Sequence, residues 1–271
     1  MNNLQLRVVS AIVMAAVTLG LTWAGGLPFR LLSAVIAGAV LYEWCAMTRN
    51  FTTTIHQWMA AVFLALVFAT LVLGYSAPAI LLVFGLALGI TIVVELAGRR
   101  SIWSSAGLAY AGLSAISLAL LRDSDQSGLV AILFLFAVVW STDILAYFVG
   151  RAIGGPKLAP SISPGKTWSG AGGGTVGGVI AGLVVASVAG GMALHVAIVI
   201  ALILSVVSQI GDLFESWIKR RHGVKDSSGL IPGHGGVMDR VDGLVAAAFA
   251  LYVIALMLGG IEHPAHGLFP G

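Results

Sequence analysis

Nine stretches of 17 to 26 residues, near 8–24, 31–47, 58–74, 79–97, 105–121, 129–149, 171–189, 192–217 and 241–259, run through this chain without a lysine or arginine inside any of them. A helix needs about 20 apolar residues to cross about 30 Å of hydrocarbon, so each stretch is near the length that spans a bilayer. Only helices and closed barrels satisfy their own backbone hydrogen bonds in lipid, and runs of this length are helical. The expected fold class is all-α: a polytopic integral membrane helical bundle of about nine transmembrane helices. Composition agrees, since 59% of the residues are hydrophobic and 9% charged, against about 25% charged in a soluble globule. The first run follows Arg7 as a secretory leader would, but no small-residue cleavage site leads into a soluble domain, so it is expected to be a retained span. Cys45 is the only cysteine; it excludes an intramolecular disulfide and reads as a small core residue.

Charge sets the expected orientation. With spans on alternating sides, one face receives 12 of the 14 basic residues, while the other receives only Arg30 and Arg122. The positive-inside rule then puts the N-terminus and the polar loops 150–170 and 218–240 in the cytoplasm. Residues 1–125 are expected to form an N-terminal region of about five spans, and 126–271 a C-terminal catalytic region. The acids share one depth in this scheme. Glu43, Glu95, Asp143 and Asp212 lie in the last turns before a cytoplasmic loop, and Asp239 and Asp242 open the ninth span from the same side. Intramembrane carboxylates are costly and face a bundle interior or an aqueous cavity. A shallow acidic cavity capped by basic loops is therefore expected, with Asp143 and Asp212 about 10 Å below the surface. For Glu43 and Glu95, pairing with bases at the helix ends and a role in the site are equally open.

Two glycine motifs invite a nucleotide-loop reading and fail it. "GKT" at 165–167 lacks the required glycine five residues earlier, where Pro160 stands, and "GGGTVG" at 172–177 opens an apolar run rather than following a strand. Gly173, Gly174, Gly177, Gly178 and Gly182 are instead spaced to let helices approach closely. The acids are more telling. Asp212 and Ser216 share a helical face, as do Asp239 and Asp242. Carboxylates beside Lys166, Lys219, Arg220, Lys225 and Arg240 suit Mg2+ carrying a polyphosphate, because Mg2+ takes one or two carboxylates and fills its shell with water and phosphate oxygens. "GHGG" at 233–236 offers backbone N–H groups as an anion nest. Salt bridges that merely hold the loops are the alternative for the whole cluster. His56, His195, His263 and His266 read as interfacial residues.

The segment "SWIKRRHGVKDSSGLIPGHGGVMDRVD", Ser216 to Asp242, resembles the signature of the phosphatidate cytidylyltransferases, the CDP-diacylglycerol synthases. Its fixed positions are filled by Ser216, Lys219, Arg220, Lys225, Asp226, Ser228, Pro232, His234, Gly235, Gly236, Asp239, Arg240 and Asp242. "STDILAYFVGR", containing Asp143, and "SPGKTW", containing Ser163 and Lys166, are similar to the family as well, although the family more often has glycine at Ile144 and an acid or amide at Ser169. The resemblance implies CMP transfer from CTP to phosphatidate, releasing pyrophosphate, in phospholipid biosynthesis. It implies Mg2+ on Asp212 and Asp239 with Asp143 and Asp242 nearby, and a second ion, K+. Lys219, Arg220 and Lys225 would be catalytic. Ser163, Lys166, Ser216, Asp226, His234 and Arg240 would bind substrate. The expected partners are CTP, phosphatidate, the bilayer and a second copy of the chain as a homodimer, with no nucleic acid. The expected location is a bacterial inner membrane with the site facing the cytoplasm.

Three other readings stay open on the residues alone. A transporter would use its acids as an ion path, yet here they cluster at one depth. A CDP-alcohol phosphotransferase would open its motif D-G-x-x-A-R, and "DGLVAA" at Asp242 lacks the arginine. A CTP-dependent lipid kinase is chemically nearer and is separated only by whether CMP or phosphate ends on the lipid.

Overall fold

The structure, a computed structural model, describes residues 3–231 and 235–270. Pro232 and His234 of the signature lie outside the described residues. Nine α-helices occur among the described residues: α1 Asn3–Ala24, α2 Gly26–Thr48, α3 Thr54–Val72, α4 Ala77–Ala97, α5 Trp103–Arg122, α6 Gln126–Ile153, α7 Trp168–Ala189, α8 Leu194–Arg221 and α9 Met238–Gly259. Eight of them, α2 to α9, are long and apolar enough to cross a membrane, and α1 contributes a shorter apolar segment, Val8–Ala24. The all-α, multi-span reading holds. The chain forms two compact units: Met1–Leu120 with His222–Arg240, and Leu121–Arg221 with Val241–Gly271.

In the first unit, sequence punctuation sets the helix ends. Gly25 takes φ 62°, a left-handed conformation that favours glycine, and so separates α1 from α2. Thr53 and Ser76 precede α3 and α4 in extended backbone, and Pro78 sits in the first turn of α4, where its missing N–H costs nothing. The buried residues of α3, Ala60, Leu64, Val67 and Leu71, recur at helical spacing and make one stripe. Ile80, Phe84 and Ala87 do the same on α4, while Leu82, Leu86 and Val93 stay exposed. A helix apolar on both its packed and its exposed face is solvated by lipid, not water. Trp44 is buried, donates its indole N–H to the Trp103 carbonyl at 2.8 Å and stacks on Tyr110. The loop that follows Arg221 joins this unit through His222, whose ring meets Phe51 and Trp103 edge-on at 4.8 and 4.7 Å.

The second unit is organised on α6. Helix α7 lies against it along the glycine stripe: a Cβ added to Gly173 would strike Val149, one on Gly174 the Thr142 carbonyl, one on Gly177 Leu145, one on Gly178 Thr142, and one on Gly182 Val138. The close-packing reading of these glycines is borne out. Helices α8 and α9 meet by the same means, with Gly211 facing Asp242 and Ala246, and Gly243 facing the Ser208 backbone. At the turn before α6, Asp125 accepts from the Gly128 N–H at 2.9 Å and from His266. Burial pushes its carboxyl up, but these two bonds and the neighbouring imidazoles outweigh it and hold the group below the usual carboxylate range. His263, expected to be merely interfacial, likewise bonds Asp123 at 3.0 Å.

The polar loops differ from expectation. Helices α6 and α8 continue to Ile153 and Arg221, 28 residues each, so each is about 42 Å long and overruns the hydrocarbon by about two turns. What remains of 150–170 is a hairpin, β1 Lys157–Ala159 antiparallel to β2 Ser163–Thr167, with Lys157 opposite Thr167 and Ala159 opposite Ser163. Polar composition identified the segment as lying outside the apolar spans but carried too little alternation to reveal so short a strand pair.

Candidate active site

The hairpin and the overrun ends of α6 and α8 enclose a cavity of about 550 Å³ within the second unit. That volume falls inside the range of about 300 to 1,000 Å³ usual for small-molecule sites. Asp143, Tyr147, Gly150 and Arg151 line it from α6, Lys157, Gly165 and Lys166 from the hairpin, Gly170 and Ala171 from α7, and Gln209 and Asp212 from α8. Each arrives for a local reason. Asp143, Tyr147, Gly150 and Arg151 follow helical spacing and share a face. Lys166 comes two residues before α7, whose start is fixed by Thr167, its side chain accepting from the Gly170 N–H at 3.1 Å. Ser169 secures the same corner by donating to the Gly154 carbonyl.

The charges in this cavity are mixed. Lys166 Nζ stands 2.5 Å from Asp212 Oδ2, both side chains being partly exposed. Asp143 is exposed to the cavity, and half-buried Asp242 lies within electrostatic reach of Asp212, Asp143 and Lys166. Arg151 donates to the Tyr147 hydroxyl at 2.9 Å, which orients the guanidinium along the α6 end. Ser216 donates to Asp212 at 3.5 Å, so the expected shared face is present, though the bond is long. Among the described residues no group of three or more His, Cys, Asp or Glu side chains forms a closed metal site. Mg2+ needs only one or two carboxylates beside phosphate and water oxygens, and that donor set fits it.

Not every expected residue reaches this cavity. Lys219 pairs at 2.7 Å with Glu215, a fully buried acid one turn before it, and does not line the cavity. Arg220 donates to the Ile162 carbonyl at 3.4 Å, tying α8 to the hairpin turn. Ser163 is half-buried in β2.

The remaining signature residues belong to the first unit. Asp239 accepts from the Ser227 N–H at 3.0 Å, the Ser227 hydroxyl at 3.0 Å and the Gly236 N–H at 2.8 Å. Glu43, fully buried, shares the single Ser227 hydroxyl proton with Asp239, at 2.9 Å, and takes three donors of its own: the Ser228 hydroxyl at 2.6 Å and the N–H groups of Val237 and Met238 at 2.8 and 2.7 Å. Two carboxylates thus shape the loop and cap the start of α9. Glu95 does the same for α5, accepting from the Ser104 and Ser105 N–H groups at 3.1 and 3.2 Å. For Glu43 and Glu95, pairing with basic side chains and a role in the site were equally open; the observed partners are helix-start N–H groups and hydroxyls. Lys225, Asp226 and Arg240 are exposed, and His234 is outside the described residues.

The cavity is nucleotide-sized and sets three basic side chains, Arg151, Lys157 and Lys166, beside the carboxylates of Asp143 and Asp212, a combination that suits a polyphosphate ligand. The Cytidylyltransferase family profile matches residues 5–258. The chain belongs to this family. The phosphatidate cytidylyltransferase of Brucella suis biovar 1 (strain 1330) is 48% identical over 266 residues, 97% of each chain. That of Brucella abortus biovar 1 (strain 9-941) is 50% identical over 255 residues, 93% of each. The phosphatidate cytidylyltransferase of Bacillus subtilis (strain 168) is 31% identical over 271 residues, covering 94% of this chain and 99% of its own. In this cytidylyltransferase-family chain, Tyr147, Arg151, Lys157 and Gln209 are cavity residues that the sequence reading had not singled out as ligands. Arg151 and Lys157 were visible only as cytoplasmic-side charge, and Gln209 was hidden inside an apolar run. Its one signal was a polar side chain one turn from Asp212.

Proposed function

We propose that this protein is a phosphatidate cytidylyltransferase, which transfers CMP from CTP to phosphatidate and releases CDP-diacylglycerol and pyrophosphate. The observation that supports it most is likeness over nearly the whole chain, at 48 to 50% identity, to enzymes of that name. The cavity suits the chemistry. A phosphate-monoester oxygen of phosphatidate attacks the α-phosphorus of CTP; that P–O bond forms as the bond to the bridging oxygen of the β-phosphate breaks, and its electron pair leaves on pyrophosphate. The nucleophile is already anionic, so no strong base is required, and catalysis consists of bringing anions together and spreading the charge on the leaving group.

Arg151, Lys157 and Lys166 supply that counter-charge in the cavity. Lys166, paired with Asp212, presents its ammonium in the cavity where phosphate oxygens would arrive. Mg2+ would be held by Asp212, with Asp143 and Asp242 of the same unit close by, and would add positive charge to the phosphate oxygens. Asp239 is proposed as a ligand on the signature alone, as are Lys219, Arg220, Lys225, Asp226, His234 and Arg240 as substrate contacts. A second ion, K+, and a homodimer are further parts of the proposal, read by activity in K+ against Na+ salts and by light scattering of the purified protein. The proposed setting is the bacterial inner membrane with the cavity open to the cytoplasm.

The test is transfer of label from α-labelled CTP to phosphatidate in detergent. Asp212→Ala and Asp239→Ala, checked for intact folding by gel filtration, are expected to lose about 100-fold or more of the activity. Wild-type activity in both variants overturns the metal assignment. Label that reaches the lipid only from γ-labelled CTP makes the protein a lipid kinase instead.

A further inference from the structure

Gln209 stands one turn before Asp212 on α8, and both side chains line the cavity. Its amide is pinned. Nε2 donates to the Thr175 hydroxyl on α7 at 3.0 Å and to the Ser205 carbonyl at 3.2 Å. A backbone carbonyl can only accept, so the atom facing Ser205 is the nitrogen, and both amide protons are engaged. What Gln209 has left to offer a ligand is Oε1, an acceptor. Gln209 is partly exposed and lines the cavity, and Oε1 is the atom of its amide left over from the bonds to Thr175 and Ser205.

The two ends of the cavity differ in chemistry. Arg151, Lys157 and Lys166, at the end of α6 and on the hairpin, suit the β- and γ-phosphates. Gln209 carries no charge and lies at the level where α6 presents Asp143 and Ala146 to the cavity, since Ser205, one turn before it, bonds Thr142 of α6. Asp212 meets Lys166 directly, and Gln209 stands one turn farther along α8 from the hairpin that Arg220 ties to the helix end. With the α-phosphate near Asp212 and the triphosphate tail at the cations, the base extends toward Gln209. We propose that Gln209 reads the base, its Oε1 accepting from the 4-amino group of cytosine. Uracil carries a carbonyl at that position, so UTP sets acceptor against acceptor and is rejected. This inference rests on the proposed use of CTP.

Gln209 also joins α7 to α8, and interhelical hydrogen bonds of this kind hold membrane helices together. A purely structural role would lower activity with every nucleotide alike. The deciding quantity is therefore the ratio of kcat/KM for CTP to that for UTP, measured by nucleotidyl transfer to phosphatidate with purified wild-type protein, Gln209→Met and Gln209→Asn. The ratio is expected to fall about tenfold in Gln209→Met, the loss of one discriminating hydrogen bond. Gln209→Asn, which withdraws the oxygen by one methylene, is expected to move it in the same direction and serves if Gln209→Met does not fold. A wild-type ratio in whichever variant folds overturns the assignment. Failure of the wild-type protein to use CTP at all is a different result, and it removes the proposed function rather than the role of Gln209 within it.

Discussion

Glu43 illustrates how an acid survives inside an apolar helix. Its position one turn from the end of α2 was legible in the sequence, but its partners were not, since the farthest of its donors lies 195 residues away in the chain. Buried with three donors of its own and a share of the Ser227 hydroxyl, its carboxylate is in effect the keystone of the loop that carries the signature. Glu43→Ala leaves the Ser228 hydroxyl and the Val237 and Met238 N–H groups without this acceptor, each at about 1 to 3 kcal/mol, while the Ser227 hydroxyl keeps Asp239. We expect Glu43→Ala to lower the thermal midpoint of the detergent-solubilised protein sharply, read by gel filtration after heating. Thr48→Val, which removes one hydroxyl bonded to the carbonyl a turn earlier in the same helix, is expected to change it little. Asp239, close in sequence and chemically identical to Asp242, has different surroundings: its oxygens take loop donors, whereas Asp242 accepts from the N–H of its own neighbour, Gly243.

The glycine stripe on α7 makes a sharper claim about how elements meet. Small residues at four-residue spacing announced close approach, and the letters that mimic a nucleotide fingerprint proved to be part of that contact surface. Which glycines matter is decided by the partner helix. Gly178 faces Thr142 and the Val138 carbonyl, whereas an added Cβ at Gly172 meets nothing within 4 Å. Gly178→Ala is therefore expected to cost about 1 to 3 kcal/mol through overpacking. Gly172→Ala is expected to be neutral or to stabilise by up to about 1 kcal/mol, because alanine is the better helix former. Equal thermal midpoints for the two variants would contradict the packing. The hairpin β1–β2 was not legible at all. Its strands are 3 and 5 residues long, too short for alternation to be distinguished from a polar loop.

For the molecule as a membrane protein, the asymmetry of 12 basic residues against 2 makes a directional prediction. With Cys45 replaced by alanine, a single cysteine at Lys157 is expected to react with a membrane-impermeant maleimide only in inverted vesicles, and one at Ser124 only in intact cells with a permeable outer envelope. The reverse pattern would turn the cavity away from cytoplasmic CTP and remove its nucleotide supply. Helix number, membrane class and the family signature were all present in the sequence because each depends on local properties: runs of apolar residues, the spacing of acids and bases, glycines at helical period. The cavity wall, the pinning of Gln209, the diversion of Lys219 to Glu215 and the capping by Glu43 emerged only with the tertiary structure. Each depends on which helix face meets which neighbour, and on pairs such as Thr142 with Ser205, 63 residues apart, that no local pattern encodes.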